Sequence, residues 1–116
     1  MEYAMLIYTD EVEETKLPPA EMHETMARYF AFREDAKAAG QFVVGRPLQP
    51  TSNATTVRVE NGQILTTDGP FAETKEQLGG FFILNCRDLD EAISLAAKIP
   101  AASSGRVEVR PIMVFG

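Results

Sequence analysis

Apolar residues along the chain group into short strand-like runs, two helical stripes and one hairpin. Tyr3-Ala4-Met5-Leu6-Ile7-Tyr8 is unbroken and predicts a strand covered on both faces. Thr9-Asp10 ends it, and the acidic stretch through Glu14 reads as a solvated loop. Pro18-Pro19 opens a helix, because proline is tolerated in the first turn, where its missing N–H has no helical partner. Met22, Met26, Tyr29, Phe30 and Ala36 recur at helical spacing as its apolar face, and Gly40 supplies the stop. Arg33 falls within that face and must snorkel outward or meet a carboxylate.

Gln41 to Gly45 predicts a second strand, and Gln49 to Asn53 a polar loop. Thr55 to Glu60 and Gln63 to Thr67 flank Asn61-Gly62, a pair suited to a type I′ hairpin turn. Phe81 to Leu84 is a buried strand. Asp88 with Glu91 forms a capping-box variant before a helix striped by Leu89, Ala92, Ile93, Ala96 and Ile99, which Pro100 ends. Ala101 to Gly105 reads as a small-residue loop. The last strand runs from Arg106 to about Phe115, with Val107 and Val109 alternating against Arg106, Glu108 and Arg110.

That order, without the hairpin, is two βαβ units in tandem: an α+β, ferredoxin-like arrangement in one domain spanning residues 1–116. Right-handed crossovers place both helices on one face of the sheet. The other face, left bare, calls for a second sheet, so a homodimer is expected. The rival solution within one chain is a partial barrel that the hairpin closes.

Charge narrows the partners. Seventeen acids against 11 bases give a net charge of -6, and no Lys/Arg cluster is present, so nucleic acid is excluded as a partner. No apolar run is long enough to span a bilayer, no signal peptide pattern opens the chain, and Cys86 is the lone cysteine. A cytoplasmic location is the expectation.

The candidate chemistry centres on the stretch from Asp68 to Gly80. Asp68-Gly69-Pro70 is turn chemistry, with Gly69 expected at positive φ and Phe71 plugging the core. Glu73 to Leu78 suits a single helical turn, which would set Glu73, Glu76 and Gln77 on one face and Lys75 elsewhere. Two close carboxylates raise one pKa toward the range useful for acid–base work. As metal ligands, Asp68, Glu73 and Glu76 lack a neighbouring histidine for zinc and match no calcium loop, so no metal is expected. His23, the sole histidine, borders the apolar face of the first helix, where a structural role competes with that of a base. Arg28 and Arg33 are solvated or paired with Glu34 or Asp35 unless one points into a pocket, where it would hold an anionic group by a two-pronged contact. Tyr29 beside Arg28 is most simply core. Asp68, Glu73 and His23 are therefore the catalytic candidates. Arg28, Tyr29, Asp68, Glu73, Lys75 and Glu76 are the ligand-binding ones.

The run Asp68-Gly69-Pro70-Phe71-Ala72-Glu73-Thr74-Lys75-Glu76-Gln77-Leu78-Gly79-Gly80 resembles the signature of YCII-related proteins of the DGPF type. Ala38-Ala39-Gly40, Ala54 to Arg58 and Val107 to Pro111 agree with it. The resemblance implies a dimeric α+β barrel built on the ferredoxin-like unit, and no cofactor. In some related YCII proteins a His on the first helix and an Asp before the last strand serve acid–base chemistry on small, often aromatic or chlorinated molecules. Here those positions are Arg28 and Ile99, so the scaffold transfers and that mechanism does not. Two functions follow as expectations: a small-molecule-binding homodimer with cofactor-free acid–base chemistry, or a non-enzymatic accessory domain that binds a protein partner.

Overall fold

The computed structural model describes all 116 residues. Strand β1 (Glu2–Thr9) is followed by the short α1 (Glu11–Glu14) and the long α2 (Pro19–Ala38). Then come β2 (Phe42–Pro47), a 3₁₀ turn at Thr51–Asn53, β3 (Thr55–Glu60), β4 (Gln63–Asp68) and β5 (Gln77–Asn85). The chain finishes with α3 (Leu89–Ala96), α4 (Ala101–Ser104) and β6 (Arg106–Pro111). Four strands form one antiparallel sheet in the order β2-β5-β1-β6, and β3 and β4 pair only with each other. This is the ferredoxin-like α+β topology, with a hairpin inserted between β2 and β5. The hairpin stands apart from the main sheet, so it does not close a barrel within one chain.

One face of the sheet carries the core. Tyr3, Met5 and Ile7 of β1 alternate inward and pair with Leu84, Phe82 and Gly80 of β5. Phe32 and Ala36 from α2 and Ala92, Ala96 and Ile99 from the α3 side pack on them, so both helices cover the same face. The Phe82 ring meets Phe32 at 5.1 Å and Phe42 at 6.4 Å between centroids, tilted and edge-on arrangements that aromatic pairs favour. Cys86 is buried in this core as a small hydrophobe, and burial pushes its thiol pKa up.

Local chemistry explains the boundaries. Pro19 occupies the first turn of α2, and Gly40 at φ +72° ends it in a Schellman motif, with Gln41 N–H donating to Ala36 O at 2.9 Å. Asp88 caps α3 by accepting from Glu91 N–H at 2.9 Å. Asn61 (φ 50°) and Gly62 (φ 76°) both take the positive φ that the type I′ turn requires. Arg33 is half-buried with its guanidinium 4.9 Å above the Phe42 ring, a cation–π solution rather than a carboxylate partner.

Several expectations fail in detail. The acidic loop after β1 is the helical turn α1, and Asp10 caps it by accepting from the N–H groups of Val12 and Glu13. Met22, Met26 and Phe30 do not join the core; Met26 and Phe30 remain 67% and 65% exposed, and the buried positions of α2 are Phe32 and Ala36. The side of α2 that meets the core carries Tyr29, Phe32 and Ala36, and Met26 and Phe30 point off that side. Phe71 plugs nothing and is 91% exposed. Residues 69–76 form irregular turns instead of a helical turn, residues 101–104 form α4 instead of a loop, and the last strand stops at Pro111.

Candidate functional site

One concavity lies where β1 ends, beside α1 and the N-terminal half of α2. Thr9 and Asp10 form its floor, α1 contributes Glu13 and Glu14, and α2 contributes Glu21, Glu24, Thr25, Arg28 and Tyr29. Ala101 and Ser104 of α4 complete the wall around about 390 Å³. Arg28 and Tyr29 thus meet at one groove because they are consecutive on α2, turned toward the side that α1 and α4 enclose. Five carboxylates (Asp10, Glu13, Glu14, Glu21 and Glu24) face a single guanidinium there. The groove therefore carries a negative field that favours cationic or hydrogen-bond-donating groups.

Tyr29 is half-buried, and desolvation raises its pKa; Glu14 adds to that, while the Ala101 backbone and Arg28 oppose it. Its phenol therefore stays neutral across the physiological range and acts as a hydrogen-bonding group with an aromatic face. Asp10 is committed at the N-cap of α1, Glu13 pairs with Lys16 at 3.0 Å and Glu14 accepts from the Thr9 hydroxyl, which leaves Glu21 and Glu24 as the freer acceptors.

Glu11 ties the groove to the hairpin. Its carboxylate accepts from Thr51 N–H at 3.0 Å and from the Thr51 hydroxyl at 2.7 Å, and its own N–H donates to Gln77 Oε1 at 2.9 Å. A single residue of α1 thereby fastens both strand-to-hairpin connections. Sequence reasoning missed this residue along with α1, although Asp10 followed three residues later by Glu13 is itself a capping-box pattern.

The other candidates are dispersed. His23 is exposed on α2 outside the groove. Asp68 ends β4, where the Thr56 hydroxyl and Gly69 N–H secure the hairpin base through Gly69 O and Ala54 O. Glu73 and Lys75 are exposed, and Glu76 pairs with Arg106 at 3.4 Å. The loop acids do not converge with Arg28 and Tyr29. No group of three or more His, Cys, Asp or Glu side chains is arranged to hold a metal ion. Of the two positions implied by the resemblance, Arg28 reaches the groove and Ile99 is buried in the core at 1% exposure.

The YCII-related domain model matches residues 1–116. The chain belongs to the YCII-related family. It is 38% identical over 117 residues to an uncharacterized protein of Rhizobium meliloti (strain 1021), covering 99% of this chain and 94% of that relative. No helix of this YCII-related chain is long and apolar enough to cross a membrane.

Proposed function

We propose that this YCII-related chain is a homodimeric binding domain for a small organic ligand, held in the groove between α1, α2 and α4. The observation that carries the ligand is the meeting of Arg28 and Tyr29 with a rim of glutamates around one cavity. The rim selects a protonated amine, the guanidinium takes a carboxylate or hydroxyl at the other end, and Tyr29 offers a ring face. Asp68, Glu73 and His23 take no part, so binding rather than acid–base turnover is the function assigned to the groove.

The homodimer follows from surface chemistry. On the sheet face away from the helices, Leu6 pairs with Phe81 and Ala4 with Ile83, and Val44 continues the apolar strip between Arg46 and the charged residues of β6. The chain alone exposes 8387 Å², where a compact monomer of its mass exposes about 6,300 Å². The surplus of about 2,100 Å² exceeds the roughly 800 Å² per partner of a standard interface. Packing two such sheets face to face gives the dimeric α+β barrel.

Calorimetric titration with small amines, amino acids and carboxylic acids tests the ligand. Binding by an amine-bearing compound that Arg28→Ala and Tyr29→Leu abolish is the expected result; no heat with any compound removes the proposal. A second reading, an accessory domain docking a protein, is favoured by the exposed Met22–Met26–Phe30 stripe on α2 and by the solvent-facing Asp68 and Glu73.

A further inference from the structure

The β3–β4 hairpin is an arm without a body. Its six-residue strands are in full register from Thr55↔Asp68 to Glu60↔Gln63, yet they pack on each other and make no substantial contact with the main sheet or the helices. An isolated two-stranded ribbon is marginally stable in water, because two strands bury too little to offset the ordering of their backbones. One face of this ribbon is nevertheless built like a buried one: Val57, Val59 and Ile64 line up on it, at 59%, 66% and 73% exposed. The opposite face presents Thr56, Arg58, Glu60 and Leu65. Three apolar side chains gathered toward the tip of one face, beyond Thr55, Thr66 and Asp68, against a single Leu65 among polar residues on the other, are the pattern of a ribbon whose tip lies on something.

We infer that the hairpin is an exchanged arm, whose Val57–Val59–Ile64 face lies on a second copy of this chain. The inference rests on the homodimer proposed above and extends it. Area argues for the second copy as occupant. The radius of gyration is 16.2 Å, against about 13 Å for a compact chain of this length, so the protomer is spread out. Its surplus surface exceeds what one standard interface removes. An arm clasping the partner accounts for that excess, and Glu11, by fastening both connections at Thr51 and Gln77, holds the arm in a set direction.

Two readouts test the arm. Sedimentation equilibrium of Val59→Lys and Ile64→Lys reads the dimer dissociation constant, with Leu65→Lys as the same charge change on the other face. Hydrogen exchange of residues 55–68, above and below that constant, reads whether the ribbon is covered. The expected result is at least a tenfold weaker dimer for the first two variants, less than a twofold change for Leu65→Lys, and ribbon amides that gain protection on dimerisation. A dimer with unprotected ribbon amides and an unchanged constant in all three variants overturns the arm and leaves the sheet-to-sheet dimer standing. A parent protein that is monomeric throughout overturns both.

Discussion

Gly45 lies on β2 directly against the Phe82 ring. A Cβ at that position would stand 2.5 Å from Phe82 Cδ1, 2.7 Å from Cε1 and 3.4 Å from Phe42 Cε2. Carbon atoms rest at about 3.5–4.0 Å, so Gly45→Ala requires a displacement of about 1 Å. The ring cannot supply it freely, because Phe32 and Phe42 flank it in a closed core. The strand must then move outward and weaken its ladder to β5. Overpacking of this kind costs about 1–3 kcal/mol, offset by the roughly 0.4–1 kcal/mol that alanine gains over glycine through the unfolded chain. A net loss of about 1–2 kcal/mol is expected in urea unfolding at one fixed protein concentration, since association adds its own term. Phe82→Leu is destabilising alone because it leaves a cavity, but in the double variant the new methyl group fills part of that space. The double variant should therefore be more stable than the two single losses predict, by about 1 kcal/mol. If Gly45→Ala unfolds with the parent, or if the two losses simply add, the contact does not govern this corner of the core.

Gly69 sits at φ +95° with open space around its missing side chain, so Gly69→Ala costs backbone strain alone, about 1 kcal/mol, read as a lower melting temperature. An unchanged melting temperature would falsify the positive-φ turn. Glu11→Ala removes the acceptor for both groups of Thr51, and a loss of about 1–3 kcal/mol is expected, with faster exchange at residues 48–54; unaltered exchange there would show that α1 clamps nothing. Tyr29 has a raised pKa in the folded state, so its stabilising contribution is whole below the unfolded value near 10 and is lost as pH rises through the higher folded value. Tyr29→Phe should therefore flatten the alkaline fall in stability, and parallel alkaline limbs in the two proteins would contradict this.

The elements most legible in the sequence were those whose chemistry is local. Asn61-Gly62 specifies its turn because both residues tolerate positive φ, Asp88 announces a helix start, and Gly40 a helix end. The alternation in β6 separates a core face from an open one, and the order of the elements then leaves few topologies. What local pattern could not convey is which surface another element reaches. Met22, Met26 and Phe30 are apolar at helical spacing, but which side of α2 turns to the sheet is decided by packing that the spacing does not encode. Phe71 follows a turn and looks like a plug, yet the turn lies at the root of a projecting hairpin. The groove was half legible: Arg28 and Tyr29 stand out, while the glutamates that surround them come from separate segments brought together by the fold. The dense polar chemistry of residues 68–77 belongs to a connector whose Asp68 and Glu73 face water and whose Glu76 pairs with Arg106.

The proposed homodimer rests on the open face of the sheet, and the mass of the protein in solution tests it most directly. Sedimentation equilibrium at micromolar concentration should return twice the 12.8 kDa of the chain, falling to 12.8 kDa when Leu6→Lys places a charge at the centre of the apolar strip. A parent protein of 12.8 kDa, or a Leu6→Lys variant that associates as tightly as the parent, would contradict the account.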